Sequence, residues 1–465
     1  MSTLRRRAFL QAAAAPTLAA QTAERAPRTT QPLNVLILLF DKCRRDAIGA
    51  YGNPDVHTPN LDWLANTGVR FANCYTPTAL CGPARSSILT GLYPHAHGVR
   101  RNVYADPPSK SSQAAYPERI FSPFLDPRFH LWENFPTLLH VGGYETGHIG
   151  KWHLGLINPG FFDTWKSFNS LLPHWIGKPQ ESRYRPDVHT TQGIEFIERN
   201  AGRPFFLYQS YYAPHEPLDP PKQFLSQYRG NNRSQSGYYT SVSNLDWNVG
   251  RILDALRKAR LIDRTLIIAT TEHGCTWVDR PGVTKEGLCV PYDEASRIPM
   301  IVRCPSLFPR GKVWNSGVSL VDLMPTILDA TGIWNEQPVR EMESGGEDLP
   351  ALQGRSWLSE IGSGQDAWTR PIILENIARA RIQGSFSEDR AIRMRNQKLI
   401  LRKFEDAPFY RPGEFYDLAA DPGESHNLYP SPTHRSAIEE MRQLLLAWGR
   451  QTKDQLSLEL ALNLV

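Results

Sequence analysis

The sequence has only six cysteines, and none of them belongs to a C-x-x-C pair or to a repeated spacing. This absence argues against a zinc cage and against a disulfide scaffold. After the first two dozen residues the sequence also lacks an apolar run long enough to cross a bilayer. We therefore expect no membrane span in the mature chain.

The first 23 residues lack acidic side chains and have the pattern of an export signal. A basic segment precedes a short alanine-rich apolar stretch, and small residues lead up to Ala23. The run from Arg6 to Leu10 is similar to a twin-arginine signal, which directs folded bacterial proteins out of the cytosol. We predict a twin-arginine-type signal peptide over residues 1–23 and a periplasmic or secreted mature protein.

The charge balance gives no support to a nucleic-acid-binding role. The formal net charge of the whole chain is +5. Cleavage near Ala23 removes three arginines, which leaves about +2 on a mature chain of this size. We expect no nucleic-acid partner.

Buried strands and amphipathic helices alternate through most of the chain. The run "PLNVLILLF" is apolar without alternation, as is typical of a buried parallel strand, and four further strand candidates are "TGHIG", "PFFLYQSYY", "TLIIATT" and "PMIVRC". Helical patterns such as "TTQGIEFIERN" lie between them. This alternation predicts an α/β domain over residues 33–335, with a large, mainly parallel sheet flanked by helices.

The composition changes twice outside this pattern. A polar, proline-rich stretch between Arg100 and Glu133 predicts a surface insertion that covers a cleft. Residues 336–368 are rich in Gly, Glu, Pro and Ser and predict a linker. Beyond it, "AIRMRNQKLILRKF" predicts a hairpin that turns at 395–397, followed by the strand "EFYDL" and a closing helix from Thr433. We predict a smaller C-terminal α+β domain over residues 369–465.

The stretch "CGPARSSILTG" places a cysteine at the predicted start of a helix. Pro83 suits a first helical turn, so Cys81 lies where free backbone N–H groups and the helix dipole attract anions. Arg85 follows one turn later and can pair with a negative oxygen. The pattern favours either a buried structural thiol or a reactive group beside an anion site.

Other ionisable residues follow the predicted strands or occupy the loops beyond them. They are Asp41 in "LLFDKCRRD", Lys151 and His153 in "GKWHLG", His215 in "SYYAPHEP", Glu272 and His273 in "TTEHG", and Lys285 further on. Because the carboxyl ends of parallel strands meet at one edge of a sheet, we expect these side chains to gather there.

Eight blocks in the same order resemble the formylglycine-dependent sulfatases of the alkaline-phosphatase-like superfamily. They are "PLNVLILLFDKCRRDAIGAYGN", "HTPNLDWLANTGVRFANCY", "CGPARSSILTGLYPHAHGV", "GYETGHIGKWHLG", "APHEP", "TEHG", "YDEASRIPMIVRCP" and "EFYDLAADPGESHNL". The resemblance covers nearly all of the mature sequence. It implies an alkaline-phosphatase-like fold and hydrolysis of a sulfate ester.

The resemblance also implies roles for individual residues. A formylglycine-generating enzyme would read the C-x-P-x-R signal and oxidise Cys81 to formylglycine, whose hydrate attacks sulfur and later expels sulfate as the aldehyde reforms. Arg85 would anchor this group, with Lys151 beside it and His153 as the base of the elimination step. His215 and Lys285 would hold the sulfate, and one of them would protonate the leaving oxygen.

The metal site is where the chain departs from the family pattern. The resemblance implies one calcium ion, with Asp41, Glu272 and His273 at ligand positions, although Glu272 is one methylene longer than the usual aspartate. Lys42 occupies a further ligand position, and an ammonium has no acceptor for a cation. Three alternatives stay open: Lys42 turns away, Lys42 replaces the metal's charge, or the protein binds without turnover.

Together these observations predict a sulfatase that acts on a sulfated small molecule or glycan, either a carbohydrate or an aryl sulfate. Two alternatives stay open from the sequence. One is a phosphate or phosphonate ester hydrolase of the same superfamily, since an anion cradle accepts either group. The other is a catalytically decayed homologue that binds sulfated glycans.

Overall fold

The computed structural model describes residues 32–103, 134–155, 157–170, 172–177, 182–228, 233–276, 289–333, 351–382, 385–404 and 413–462. The predicted signal peptide, Lys285 and most of the 100–133 insertion lie outside these residues. From Leu33 onward the chain forms one unit. None of the helices in the described ranges is long and apolar enough to cross a membrane.

The strands within the described residues are numbered in chain order. They are β1 (Asn34–Phe40), β2 (Val69–Phe71), β3 (Cys74–Tyr75), β4 (Glu145–Lys151), β5 (Thr164–Phe168), β6 (Trp175–Ile176), β7 (Arg183–Tyr184), β8 (Phe205–Ser210), β9 (Thr265–Thr271), β10 (Arg297–Ile298), β11 (Met300–Arg303), β12 (Lys312–Trp314), β13 (Val318–Ser319), β14 (Ile372–Ile382), β15 (Ser385–Met394), β16 (Gln397–Phe404) and β17 (Glu414–Asp417).

The α-helices are numbered in the same way. They are α1 (Pro59–Thr67), α2 (Cys81–Thr90), α3 (Pro94–His97), α4 (Phe135–Val141), α5 (Arg185–Arg199), α6 (Arg233–Lys258), α7 (Asp293–Ser296), α8 (Leu323–Thr331), α9 (Leu358–Ser363), α10 (Arg435–Thr452) and α11 (Gln455–Leu462).

An eight-stranded sheet forms the centre of the fold, in the order β12-β2-β11-β9-β1-β8-β4-β5. The neighbours from β9 to β5 pair in parallel, as the sequence predicted. The strand β11 is the exception, because it is antiparallel to both β9 and β2. A parallel strand would need a crossover back to the opposite edge, whereas the chain enters β11 directly from β10. The sheet is therefore mixed.

Both faces of this sheet are covered, which explains the unbroken apolar sequence of β1. All seven residues of β1 are buried. Val35, Ile37 and Leu39 belong to one core cluster, with apolar residues of α2, α4 and α8. Their neighbours on the opposite face pack with α1, α5 and α6. The sheet is held between two helical layers, which fixes the edge at which its parallel strands end.

A smaller antiparallel sheet, in the order β14-β15-β16-β17, follows in the C-terminal part. The predicted hairpin is present, because β15 and β16 pair and Arg395 between them adopts a left-handed φ of 52°. The helices α10 and α11 pack against this sheet through residues such as Leu445 and Leu460. This arrangement confirms the smaller α+β element.

Part of the predicted linker packs against the main body. Trp357 is buried, and its ring contacts Phe71 and Phe308 at centroid distances of 4.9 and 5.6 Å. The backbone N–H of Arg355 donates to Asp322 at 2.9 Å. The predicted limits of the two domains and of the linker stay predictions.

Candidate active site

The cysteine of the C-x-P-x-R motif is the first residue of helix α2. Leu80 at the N-cap has extended backbone and supplies no side-chain cap. The backbone N–H of Gly82 donates to Oδ1 of Asn102 at 2.8 Å. Pro83 has no N–H to satisfy, so it fits this first turn. Cys81 therefore lies, buried, at the positive end of a helix dipole, as the sequence predicted.

The parallel strands bring polar residues to the same edge of the sheet. Asp41 directly follows β1, Lys151 ends β4, Ser210 ends β8 and Glu272 directly follows β9. These are four adjacent strands, and all four side chains are buried. The expected gathering of ionisable groups is present in the fold.

Three of the predicted residues surround the sulfur of Cys81. Nε2 of His273 is 3.1 Å from Sγ, Nζ of Lys151 is 3.7 Å away and Oδ1 of Asp41 is 4.0 Å away. Lys151 also donates a hydrogen bond to Oδ2 of Asp41. Position 81 is thus lined by one cation, one anion and one imidazole, which is a polar setting for a buried thiol.

Arg85, one turn further along α2, hydrogen-bonds to three strand ends and lies near a fourth. Its NH1 group donates to the carbonyl oxygen of Lys151 at 2.6 Å and to Oγ of Ser210 at 2.8 Å. Its NH2 group donates to Oε1 of Glu272 at 3.2 Å and lies 4.0 Å from Oδ2 of Asp41. This planar fork fixes α2 against the sheet edge. The role of Arg85 as the anchor of residue 81 stays a prediction.

The charges at this edge shift the pKa of each group. Burial would raise the pKa of Asp41, but Lys151, His215 and Arg85 hold it well below its usual range. Burial raises the pKa of the Cys81 thiol. Burial also raises the pKa of Glu272 to about 8, because the nearby Arg85 only partly offsets it. Lys151 and Arg85 place two positive charges beside the helix N-terminus, which attracts an anion.

These charges and burial also shift the pKa values of the two other predicted histidines. His153 is buried at a left-handed φ of 62°, and burial followed by the charge of Lys151 lowers its pKa well below the usual range. Burial lowers the pKa of His215 to about 4, against the opposing effect of Asp41. Nδ1 of His215 donates to the carbonyl oxygen of Glu216 at 2.8 Å. The neutral ring thus presents Nε2 to other partners.

Three residues of the site were missed from the sequence, and two of them, Tyr212 and His174, support His215. The Tyr212 ring stacks on His215 at 4.7 Å, and His174 stacks on Tyr212 at 4.8 Å. Nε2 of His174 donates to the carbonyl oxygen of His215 at 2.8 Å. The Lys151 ammonium lies 4.9 Å from the Tyr212 ring centroid. Ser210, the third, is the last residue of β8. Its position at the end of a predicted buried strand was the sequence signal that could have identified it.

Lys42 turns away from the cluster and forms an ion pair. Its backbone has a left-handed φ of 58°, and its Nζ atom is 3.0 Å from Oε2 of Glu216. Tyr238 fixes the backbone by donating to the carbonyl oxygen of Lys42 at 2.6 Å. This geometry corresponds to the first of the three alternatives for Lys42.

The residues present fit a divalent cation. Asp41, Cys81, Glu272 and His273 each offer one ligand atom, and these atoms lie within 4.8 Å of one another. Oε2 of Glu272 is buried without a hydrogen-bond partner in the described structure, so it is available to a cation. Two buried carboxylates beside an imidazole form a donor set for a metal.

Fold and site together define an enzyme that receives an anionic ester at the N-terminus of a buried helix. Comparison with known proteins agrees with this class. The family model described as Sulfatase matches residues 33–333. A second model, described as N-sulphoglucosamine sulphohydrolase, C-terminal, matches residues 289–451.

Individual proteins show the same relationship. The arylsulfatase of Clostridium perfringens is 26% identical over 89% of this chain and 93% of its own length. The N-acetylgalactosamine-6-sulfatase of Sus scrofa is 32% identical over 70% of this chain and 67% of its own length. The solved structure of yidJ from Bacteroides fragilis, 21% identical, has a TM-score of 0.75 and covers 94% of this chain and 99% of its own.

The chain belongs to the sulfatase family. It is a sulfuric ester hydrolase with the alkaline-phosphatase-like fold. The resemblance drawn from the eight sequence blocks is thereby confirmed.

Proposed function

We propose that this enzyme hydrolyses sulfate esters of carbohydrates, with 6-O-sulfated N-acetylhexosamines as the substrate class. The observation that carries the chemistry is the position of Cys81 at a helix N-terminus, beside Lys151 and His273 and within one helical turn of Arg85. The substrate class is supported by the N-acetylgalactosamine-6-sulfatase of Sus scrofa, which this chain resembles.

Residue 81 acts as formylglycine in this proposal. As a thiol, Cys81 is a poor nucleophile, because burial raises its pKa and keeps it protonated. The hydrogen-bonding groups around it, Lys151, His273 and Asp41, fit the two hydroxyls of a hydrated aldehyde. In that form the residue supplies an oxygen nucleophile for sulfur and releases sulfate without a second attack by water.

The surrounding residues bind the sulfate and move protons. Lys151 and Arg85 provide fixed positive charge in a site from which water is largely excluded, where charge stabilisation is most effective. His215 presents Nε2, because its Nδ1 hydrogen is used by the Glu216 carbonyl. We assign His215 and Lys285 to sulfate binding and one of them to protonation of the leaving oxygen, and we assign His153 as the base. His215 would donate from Nε2 in its doubly protonated form, which the negative charge of a bound sulfate favours.

Asp41, Glu272 and His273 would hold the proposed calcium ion. When bound, such an ion would supply positive charge for the oxygens of the sulfate. Glu272 would then be ionised, because a cation at its unpartnered Oε2 offsets the effect of burial. Lys42 stays outside this set.

Because the modification signal is buried, the order of modification, folding and export can be inferred. Cys81 is 2% exposed and Arg85 1%, so a modifying enzyme has no access to them in the folded protein. We infer that a formylglycine-generating enzyme acts before folding is complete. A twin-arginine signal over residues 1–23 would then export the folded enzyme to the periplasm or beyond, so modification takes place in the cytosol.

The test is an assay of enzyme produced together with a formylglycine-generating enzyme. Hydrolysis of 4-nitrophenyl sulfate and of N-acetylgalactosamine 6-sulfate is compared with that of 4-nitrophenyl phosphate. We expect both sulfates to be cleaved with much higher kcat/KM than the phosphate, and Cys81→Ala to lose this activity. Preference for the phosphate, or equal rates with Cys81→Ala, would contradict the proposal.

A further inference from the structure

The Lys42–Glu216 pair joins a buried cation to an exposed anion. The side chain of Lys42 is 5% exposed, whereas that of Glu216 is 59% exposed. The bond to Glu216 uses one of the three N–H donors of the ammonium, and the outer carboxylate surface is open to solvent. The pair therefore presents both a donor and an acceptor at the boundary between the site and solvent.

This pair lies on the side of the site assigned to the leaving group. Oε2 of Glu216 is 3.4 Å from Nδ1 of His215, the residue assigned to the leaving oxygen. Lys42 directly follows Asp41, and the N–H of Asp41 donates to the carbonyl oxygen of Ala213 at 3.3 Å. The backbones on both sides of the pair are thus linked. A leaving group whose oxygen is held by His215 would extend past this residue toward Lys42 and Glu216.

The chemistry of the pair suits a hydroxyl group. A hydroxyl donates one hydrogen bond and accepts others, so it can accept from an ammonium while it donates to a carboxylate. Both bonds are charge-assisted and therefore stronger than bonds between neutral groups. A second sulfate or a carboxylate at the same place would meet the negative charge of Glu216. An aryl ring without hydroxyls offers the pair nothing to bind.

We propose that Lys42 and Glu216 bind a free hydroxyl of the sugar that carries the sulfate ester, and so select hydroxylated sugars over simple aryl sulfates. This inference rests on the proposed function, because it names residues that recognise the alcohol part of the same substrate. The departure from the family pattern at position 42 is then a specificity feature. Lys42 and Glu216 are specificity-determining residues in this scheme and take no part in bond breaking.

The experiment compares two substrates with the matured enzyme and two variants. The substrates are N-acetylgalactosamine 6-sulfate, which has hydroxyls, and 4-nitrophenyl sulfate, which has none. The variant is Glu216→Ala. The matched control is Glu145→Ala, because Glu145 pairs with Arg203 at the same 3.0 Å but lies at the opposite end of β4 from the site. Thermal unfolding of both variants verifies that they fold.

We expect Glu216→Ala to lower kcat/KM for the sugar sulfate by about tenfold or more relative to the aryl sulfate, mainly through KM. Glu145→Ala should leave this ratio unchanged. Equal losses on both substrates would assign the pair a supporting role and overturn the inference, as would no loss on either. A wild-type enzyme that cleaves the aryl sulfate alone also overturns it, while inactivity on both sulfates contradicts the proposed function itself.

Discussion

Sγ of Cys81 lies 3.1 Å from Nε2 of His273, and Asp41 and Lys151 lie within 4.0 Å of the same sulfur. A thiol with a raised pKa stays protonated, so it is a weak nucleophile in spite of these polar neighbours. We therefore expect the peptide that contains Cys81, taken from protein made in its native host, to carry an aldehyde in place of the thiol. Mass spectrometry of that peptide measures the change directly, because the modification removes sulfur.

The control for this first prediction is Cys81→Ser. A serine hydroxyl keeps a small polar side chain in the cluster but lacks the thiol that the modifying enzyme converts to an aldehyde. We expect this variant to fold with a similar melting temperature and to lose at least about a thousandfold in kcat. An unmodified thiol in fully active wild-type enzyme would refute the formylglycine mechanism.

The Arg85 fork is predicted to serve both stability and catalysis. Arg85→Met removes the hydrogen bonds to Lys151 and Ser210 and leaves Glu272 without its buried cation. We expect the free energy of unfolding to fall by about 3 kcal/mol and kcat/KM by about a hundredfold. Urea titration and steady-state kinetics measure the two effects.

A double variant separates these two roles of Arg85. In Arg85→Met/Glu272→Gln the buried carboxyl is replaced by an uncharged carboxamide, so we expect part of the lost stability to return. Activity should stay low, because the positive charge that faces the sulfate is still missing and a proposed calcium ligand has been replaced as well. If both stability and activity recovered together, Arg85 would be a structural residue alone.

Much of this fold was predictable because β1, β4, β8 and β9 are buried on both faces. Of these strands, β1 is apolar without alternation, and polar residues mark the strand ends. The positions of Asp41, Lys151 and Glu272 followed from that rule. The antiparallel direction of β11 could not be predicted from that rule. It depends on where the chain crosses the sheet, and a run of five or six apolar residues has the same pattern in either direction.

The contacts around His215 were not predictable for a different reason. His174 lies far from His215 along the chain, and its hydrogen bond to the His215 carbonyl is a purely tertiary contact. The same holds for Lys42 and Glu216, which are separated by 174 positions. Sequence patterns identify Lys42 as an unusual residue at a ligand position. Only the fold shows the partner toward which it turns.

The metal site gives a prediction about Lys42. Replacing Lys42 with Asp removes an ammonium from beside the donor set and adds a carboxylate, and aspartate tolerates the left-handed backbone found there. We expect Lys42→Asp to bind calcium at least about tenfold more tightly than the wild-type protein, as measured by calorimetry. Chelation should lower the melting temperature of both proteins, and added calcium should restore it.

The control for metal binding is Lys42→Met, which removes the charge without adding a ligand. Its calcium affinity should lie between those of the wild type and Lys42→Asp, because it relieves repulsion only. Identical calcium affinities in all three proteins would place the ion away from position 42. Absence of any calcium effect on the wild type would contradict the proposed ion.

A second buried cluster links the segment after α2 to the C-terminal part. His95 donates from its backbone N–H to Oε2 of Glu375 at 2.9 Å, and its Nδ1 is 2.5 Å from Oε1 of the same residue. Arg390 makes a two-pronged bond to Asp454, at 2.6 and 2.9 Å, and lies 3.8 Å from Glu375. These charges are buried, so their protonation should affect stability.

The contribution of Asp454 to stability is lost as the pH falls, whereas the contribution of His95 is lost as the pH rises. Burial alone would raise the pKa of Asp454, but its bonds to Arg390 lower it from an ordinary 3.8 to about 2. Its contribution is therefore present above pH 3.8 and is lost as the pH falls through 2. The pKa of His95 is raised by Glu375 in spite of burial. Its contribution is present below the ordinary 6.5 and is lost as the pH rises through the raised pKa.

We expect Asp454→Asn to remove about 2 kcal/mol of the acid-dependent change in unfolding free energy, which follows from the lowered pKa of Asp454. Urea titrations of the wild type and the variant between pH 2 and 8 measure this difference directly. The control is Asp263→Asn, because Asp263 also pairs with an arginine, at 2.5 Å, but is 63% exposed and so is screened by solvent. If the unfolding free energy decreased equally with falling pH in the wild type and in Asp454→Asn, the Arg390–Asp454 pair would not couple protonation to folding.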